Sequence, residues 1–74
     1  MLEKIIEVLS EYTDVDPKTI TEKTNLRNDL ALDSLQLINL SGALEDEFDV
    51  TISDRDAMNI QTVGDVLRFI EEQK

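Results

Sequence analysis

Residues 34–48 carry the pattern that most restricts how this chain can fold. At about 100° per residue, Leu37, Leu40, Leu44 and Phe48 fall on one stripe, with Ser41 inside it and Ile38 on its flank. Such a stripe predicts a helix with one face turned to a core. Asp33 stands where an N-cap is needed, and Gln36, three residues on, completes a capping box. Leu35 points almost directly away from the stripe and shares the outer face with Asn39, Gly42 and Asp46. The wheel therefore predicts an exposed leucine beside an exposed Ser34 at the first turn.

The other elements are shorter. Leu2, Ile5, Ile6 and Leu9 form a stripe opposite Glu3, Lys4, Glu7 and Glu11, which predicts a first amphipathic helix to about Tyr12. Asp16-Pro17 ends that region and opens a single turn through Ile20. Asp14 and Asp16 have the spacing of a calcium loop, but Lys18 occupies the next ligand position and the required glycine and glutamate are missing, so an EF-hand is excluded. A connection from Thr21 to Leu32 carries Leu26, Leu30 and Leu32 among polar residues, and these leucines are expected to pin it across the core. Ser53 and Thr62 repeat the cap pattern. They open a short helix to about Asn59 and a last helix to about Glu72 with Val63, Val66, Leu67 and Ile70 inward. The expected fold is all-α, a small antiparallel bundle of three long helices and one short helix, forming one domain over residues 1–74.

Composition narrows the function. Seventy-four residues bury only a thin core. Without cysteine or histidine the chain has no disulfide, no thiolate metal site and no ordinary general base, so neither an active site nor a metal centre of its own is expected. Seventeen acidic against seven basic residues give a formal charge of −10. That disfavours nucleic acid and anionic membranes and favours partners with basic patches; acidity that merely keeps a small protein soluble would look the same. Glu45, Asp46, Glu47 and Asp49 crowd the end of the long helix where its dipole disfavours negative charge, which reads either as function or as general acidity. No apolar run approaches membrane-spanning length and no signal-peptide layout opens the chain. A monomer in the cytoplasm is expected, although an organellar form with its transit peptide removed would look alike.

Asp33-Ser34-Leu35, the helix ending Ala43-Leu44-Glu45-Asp46-Glu47-Phe48-Asp49, then Val50-Thr51-Ile52-Ser53-Asp54, Ala57, Ile60, Thr62-Val63 and Phe69-Ile70 together resemble the acyl carrier protein family over essentially the whole chain. The resemblance implies that Ser34 carries 4′-phosphopantetheine, transferred from coenzyme A by a separate phosphopantetheinyl transferase (holo-ACP synthase) with Mg²⁺. Its thiol would carry acyl groups for fatty-acid or polyketide synthesis enzymes with basic docking patches. It also implies a pocket for the tethered chain among Ile38, Leu44, Ile52, Ala57, Ile60 and Val66, residues that equally read as ordinary core. Partner recognition would fall to Asp33, Leu35, Asn39, Gly42, Glu45, Asp46, Glu47 and Met58. Free N–H groups and the positive dipole end suit a phosphate on Ser34, whereas Asp33 repels it over a screened distance.

The chain departs from the family pattern near that site. Gln36 and Asn39 stand where acids are common, Ser41-Gly42 replace a bulkier apolar pair, and Ala31 replaces a frequent glycine. Type II fatty-acid synthesis is the first expectation, with a specialised carrier for a polyketide, lipid or peptide pathway as the alternative. An unmodified acidic helical adaptor for basic partners is the third reading.

Overall fold

A computed structural model describes residues 1–73. Four α-helices succeed one another: α1 (Leu2–Leu9), α2 (Ser34–Phe48), α3 (Asp54–Asn59) and α4 (Val63–Gln73), with a 3-10 turn at Pro17–Thr19 between the first two. Among the described residues there is no strand, only an isolated bridge between Asn25 and Thr62. α1 packs against both α2 and α4, and α3 against α2. Fifteen residues make α2 about 22 Å long, nearly the length of a molecule whose longest dimension is 28 Å. Ser34 therefore stands at one end of the longest element in the fold.

The core is one cluster to which every helix and the long connection contribute. Leu37, Leu40, Leu44 and Phe48 of α2 are buried as the stripe requires, and the Ser41 hydroxyl inside it donates to the Leu37 carbonyl at 2.8 Å. Removing a side chain of leucine size from water contributes about 1.5–3 kcal/mol, so this face holds the bundle more than the intrinsic helix propensity does. At its far end α2 stops on Asp49 in the left-handed conformation, φ 55°.

α1 is shorter than its periodicity predicts. Ser10 donates its hydroxyl to the Glu7 carbonyl, and Glu11 and Tyr12 bond three residues back instead of four, so the last turn tightens and the helix ends at Leu9. Its inward face is also rotated relative to the expected one. Ile5, Val8 and Leu9 are buried, while Leu2 and Ile6 lie half-exposed at the edge. Leu67 of α4 is likewise half-buried, leaving Val63, Val66 and Ile70 as that helix's core residues.

The connection from Thr21 to Leu32 is built as a strut. Leu26, Leu30 and Leu32 are each 3% exposed or less. The Leu26 amide donates to the Gln61 carbonyl at 2.8 Å, while Val63 and Gly64 donate to the carbonyls of Thr24 and Glu22. Within the loop, the Asn25 side-chain oxygen accepts from the amides of Arg27 and Asn28, and Asp29 accepts from the Asn25 amide. Both Leu30 and Leu32 must face inward, and Ala31 between them takes φ 57°, the left-handed region.

For an L-residue that conformation costs roughly 1–2 kcal/mol, which glycine avoids at an entropic cost of about 0.5–1 kcal/mol. Ala31→Gly is therefore expected to raise stability by up to about 1 kcal/mol, and Tm by several degrees. A thermal melt by circular dichroism measures it, and a lowered Tm would refute the strain.

Candidate functional site

Ser34 is the first residue of α2, and its position is set by the cap before it. Asp33 keeps extended backbone and its carboxylate accepts from the Gln36 amide at 2.8 Å, while the Gln36 side-chain oxygen accepts from the Asp33 amide at 3.1 Å. Both bonds of the predicted capping box are thus formed. The amides of Ser34 and Leu35, in the first turn, have no intrahelical acceptor. Ser34 is exposed at this end of the molecule, and Leu35 beside it is 67% exposed.

Arg27, which the sequence pattern did not single out, reaches this serine from the long connection. Its Nη2 lies 3.5 Å from Ser34 Oγ and 3.8 Å from Met58 Sδ, linking the start of α2 to α3. An anion attached to Ser34 Oγ would meet the guanidinium, two free amides and the positive end of the α2 dipole. The opposing Asp33 carboxylate is engaged in the cap. This hydroxyl can accept a phosphoryl-linked group, and the carboxylate next to it in the chain, that of Asp33, is taken up by the Gln36 amide.

The outer face of α2 keeps the expected order of Leu35, Asn39, Gly42 and Asp46, of which Gly42 is half-buried. The neighbouring acids are already engaged. Glu45 accepts from the Ile52 amide at 3.0 Å and so fastens the connection after α2. Glu47 pairs with Lys4 of α1 at 2.9 Å, and this hydrogen bond and charge hold the lysine above its ordinary pKa. Asp46 is exposed, as is Met58 at 41%. No heavy atom lies within 4 Å of where a Cβ on Gly42 would sit. Gly42→Ala is accordingly expected to stabilise α2 by about 1 kcal/mol, read as a higher urea midpoint; an unchanged or lower midpoint would contradict the open space.

Of the six residues expected to line a pocket, Leu44, Ile52, Ala57, Ile60 and Val66 are buried together in the core cluster, whereas Ile38 is 37% exposed. An open cleft of about 600 Å³ lies elsewhere, between α3 and α4 around Asp56, Asn59, Asp65, Arg68 and Phe69, and shares only Ile60 with that set. A chain entering among the six residues would have to part side chains now buried together. Asp65 in the cleft serves the fold. Burial pushes its carboxyl up, but the amides of Thr62 and Gln61 and the Arg68 guanidinium outweigh that and hold it below the usual range, as fits its cap on α4. Among the described residues no group of three or more acidic side chains could hold a metal ion, and no helix is long and apolar enough to cross a membrane.

The chain is similar to known proteins over nearly its whole length. A family model described as a phosphopantetheine attachment site matches residues 3–70. The chain is 44% identical over 73 residues to the acyl carrier protein of Phenylobacterium zucineum, covering 99% of this chain and 92% of that protein. It shows the same identity to the acyl carrier protein of Caulobacter vibrioides, with 99% and 94% covered. The solved acyl carrier protein of Enterococcus faecalis superposes with a TM-score of 0.84 at 34% identity, covering 99% of this chain and 92% of that one.

Proposed function

Because the chain belongs to the acyl carrier protein family, we propose that Ser34 Oγ is where its 4′-phosphopantetheine is attached. Proteins of this family are carriers and not enzymes, and the cofactor is the phosphopantetheine that the matched family binds. Once bound, it supplies the thiol on which acyl groups ride as thioesters, a group that a cysteine-free chain lacks. The observation that carries the assignment to Ser34 is its exposed hydroxyl, fixed by the Asp33–Gln36 capping box at the free end of α2.

In loading, the Ser34 hydroxyl attacks the pantetheine-bearing phosphorus of the coenzyme A diphosphate; the phosphoanhydride bond breaks, adenosine 3′,5′-bisphosphate leaves, and Ser34 Oγ becomes part of a phosphodiester. Ser34 Oγ accepts from Arg27, so its own proton stays free for a base on the transferase, which does the catalysis with Mg²⁺. Asp33 orients the turn and presents a carboxylate beside the reacting oxygen. A cytoplasmic setting belongs to the same proposal, as does a role in type II fatty-acid synthesis, the usual one in the family.

Partners with basic patches would read Leu35, Asn39, Asp46 and Met58, all exposed, with Glu45 and Glu47 on the flank. Asn39 and Gly42 make this face less acidic and flatter than the family pattern. That favours, as a second reading, a specialised carrier with its own set of enzymes.

Incubating the chain with coenzyme A, Mg²⁺ and a broad-specificity phosphopantetheinyl transferase is expected to add one arm by intact mass and to create one thiol where the sequence has none. An unchanged mass, in a mixture that loads a control carrier, would overturn the assignment.

A further inference from the structure

We propose that Arg27 is the residue that holds the phosphodiester formed on Ser34, and that this ion pair directs the arm toward the cleft between the long connection and α3. The role of Arg27 rests on the proposed attachment at Ser34. Placement, charge, backbone order and surroundings each support it.

The guanidinium is already in place. Its Nη2 is 3.5 Å from Ser34 Oγ, the atom that would bear the phosphorus, so phosphate oxygens one bond further out come within charge-assisted hydrogen-bonding distance.

It is also uncommitted. Among the described residues Arg27 forms no ion pair, while Lys4 and Arg68 each do. Its contacts are a long hydrogen bond to Ser34 and a thioether sulfur, both weaker than a guanidinium makes with a phosphate.

Its backbone is held in advance. The Arg27 amide donates to Asn25 Oδ1 at 2.9 Å, and Leu26 beside it is 1% exposed with its amide on the Gln61 carbonyl. Little backbone ordering is left for the moment of pairing.

The surroundings suit the pantetheine portion of the arm. Arg27 and Met58 line an open cleft of about 330 Å³ together with Asn25, Asn28 and Gln61. Side-chain amides there match the amide groups of pantetheine, and Met58 offers an apolar contact to its methyl groups. In a chain of formal charge −10, one cation beside the added anion also offsets the repulsion from Asp33.

The test compares the wild-type chain with Arg27→Gln, each before and after loading. Arg27 is exposed, so the variant should fold, and each chain is incubated with excess transferase until intact mass shows complete loading before the comparison. In the wild type, loading is expected to shift the Arg27 Nε–H resonance and slow its exchange, and to give cross-peaks between the pantetheine methyl protons and the Met58 ε-methyl. Arg27→Gln should move the ³¹P resonance of the phosphodiester, abolish those cross-peaks, and lower the holo-minus-apo difference in Tm by about 4 °C or more. A wild-type chain that takes up no arm overturns both the attachment at Ser34 and the role of Arg27. A chain that loads while the Arg27 signals stay where they were, with the ³¹P resonance unmoved in Arg27→Gln, overturns the role of Arg27 alone.

Discussion

Replacing Ser34 by alanine is expected to abolish loading completely while leaving the fold untouched. Chemically the loss is total, because alanine offers no oxygen to form the phosphodiester. Structurally the change is slight. Ser34 is exposed, its side chain makes one long contact to Arg27, and the Asp33–Gln36 capping box uses no atom of it. A surface change of that kind stays within about 0.5 kcal/mol, so the melts of Ser34→Ala and the wild type should coincide.

The other serines make poor substitutes. Ser41 is 7% exposed and its hydroxyl is bonded inside α2, and the Ser10 hydroxyl is bonded to Glu7. Ser53 is exposed, but its oxygen accepts from the Asp56 amide as the cap of a six-residue helix. Intact mass after exhaustive incubation is the measurement. An arm on Ser34→Ala would move the attachment point, with Ser53 as the first place to look. Equal binding of the variant and the wild type to the transferase would show separately that recognition uses the face of α2 and not the hydroxyl.

What could be read from the sequence depended on how far apart the interacting residues lie. The limits of α2, its capping box and the exposure of Leu35 are set by residues within one turn of each other, so the chain spells them out. The burial of Leu26, Leu30 and Leu32 was legible for another reason. Three leucines in a polar stretch of a small domain have few places to go except the core. Ala31 was visible as an alanine where the family pattern often has glycine, and its left-handed φ supplies the physical meaning.

The rest depended on tertiary placement. The rotation of α1 that buries Val8 in preference to Ile6 is decided by the helices packed against it, which its own periodicity cannot encode. Glu45 and Glu47 read as docking acids, and the structure engages them with Ile52 and Lys4, seven and forty-three residues away. Arg27 is the plainest case. Nothing in its neighbours marks it, and it gains significance only when the loop folds back to set it between Ser34 and Met58.

That folding back makes Leu26→Ala the second large effect. The side chain is 1% exposed, and deleting it leaves a void in the cluster where the connection meets the bundle. Comparable truncations cost about 2–5 kcal/mol, against a total stability of roughly 4–11 kcal/mol for a chain of this length. Tm should therefore fall by roughly 10–30 °C, whereas Leu35→Ala, at a site 67% exposed, should scarcely change it. The backbone around Leu26 is also a junction: its amide bonds to Gln61 and its carbonyl accepts from Leu32. Hydrogen exchange at the Leu26 and Leu32 amides should thus accelerate more than at the Leu40 amide in the middle of α2, because the loop loses its anchor before the helix loses its core. A drop in Tm no larger than that of Leu35→Ala would mean that the connection is draped over the bundle and not built into it. Arg27 and Ser34 would then face each other only by chance, since the strut is what holds a residue seven positions upstream against the start of α2.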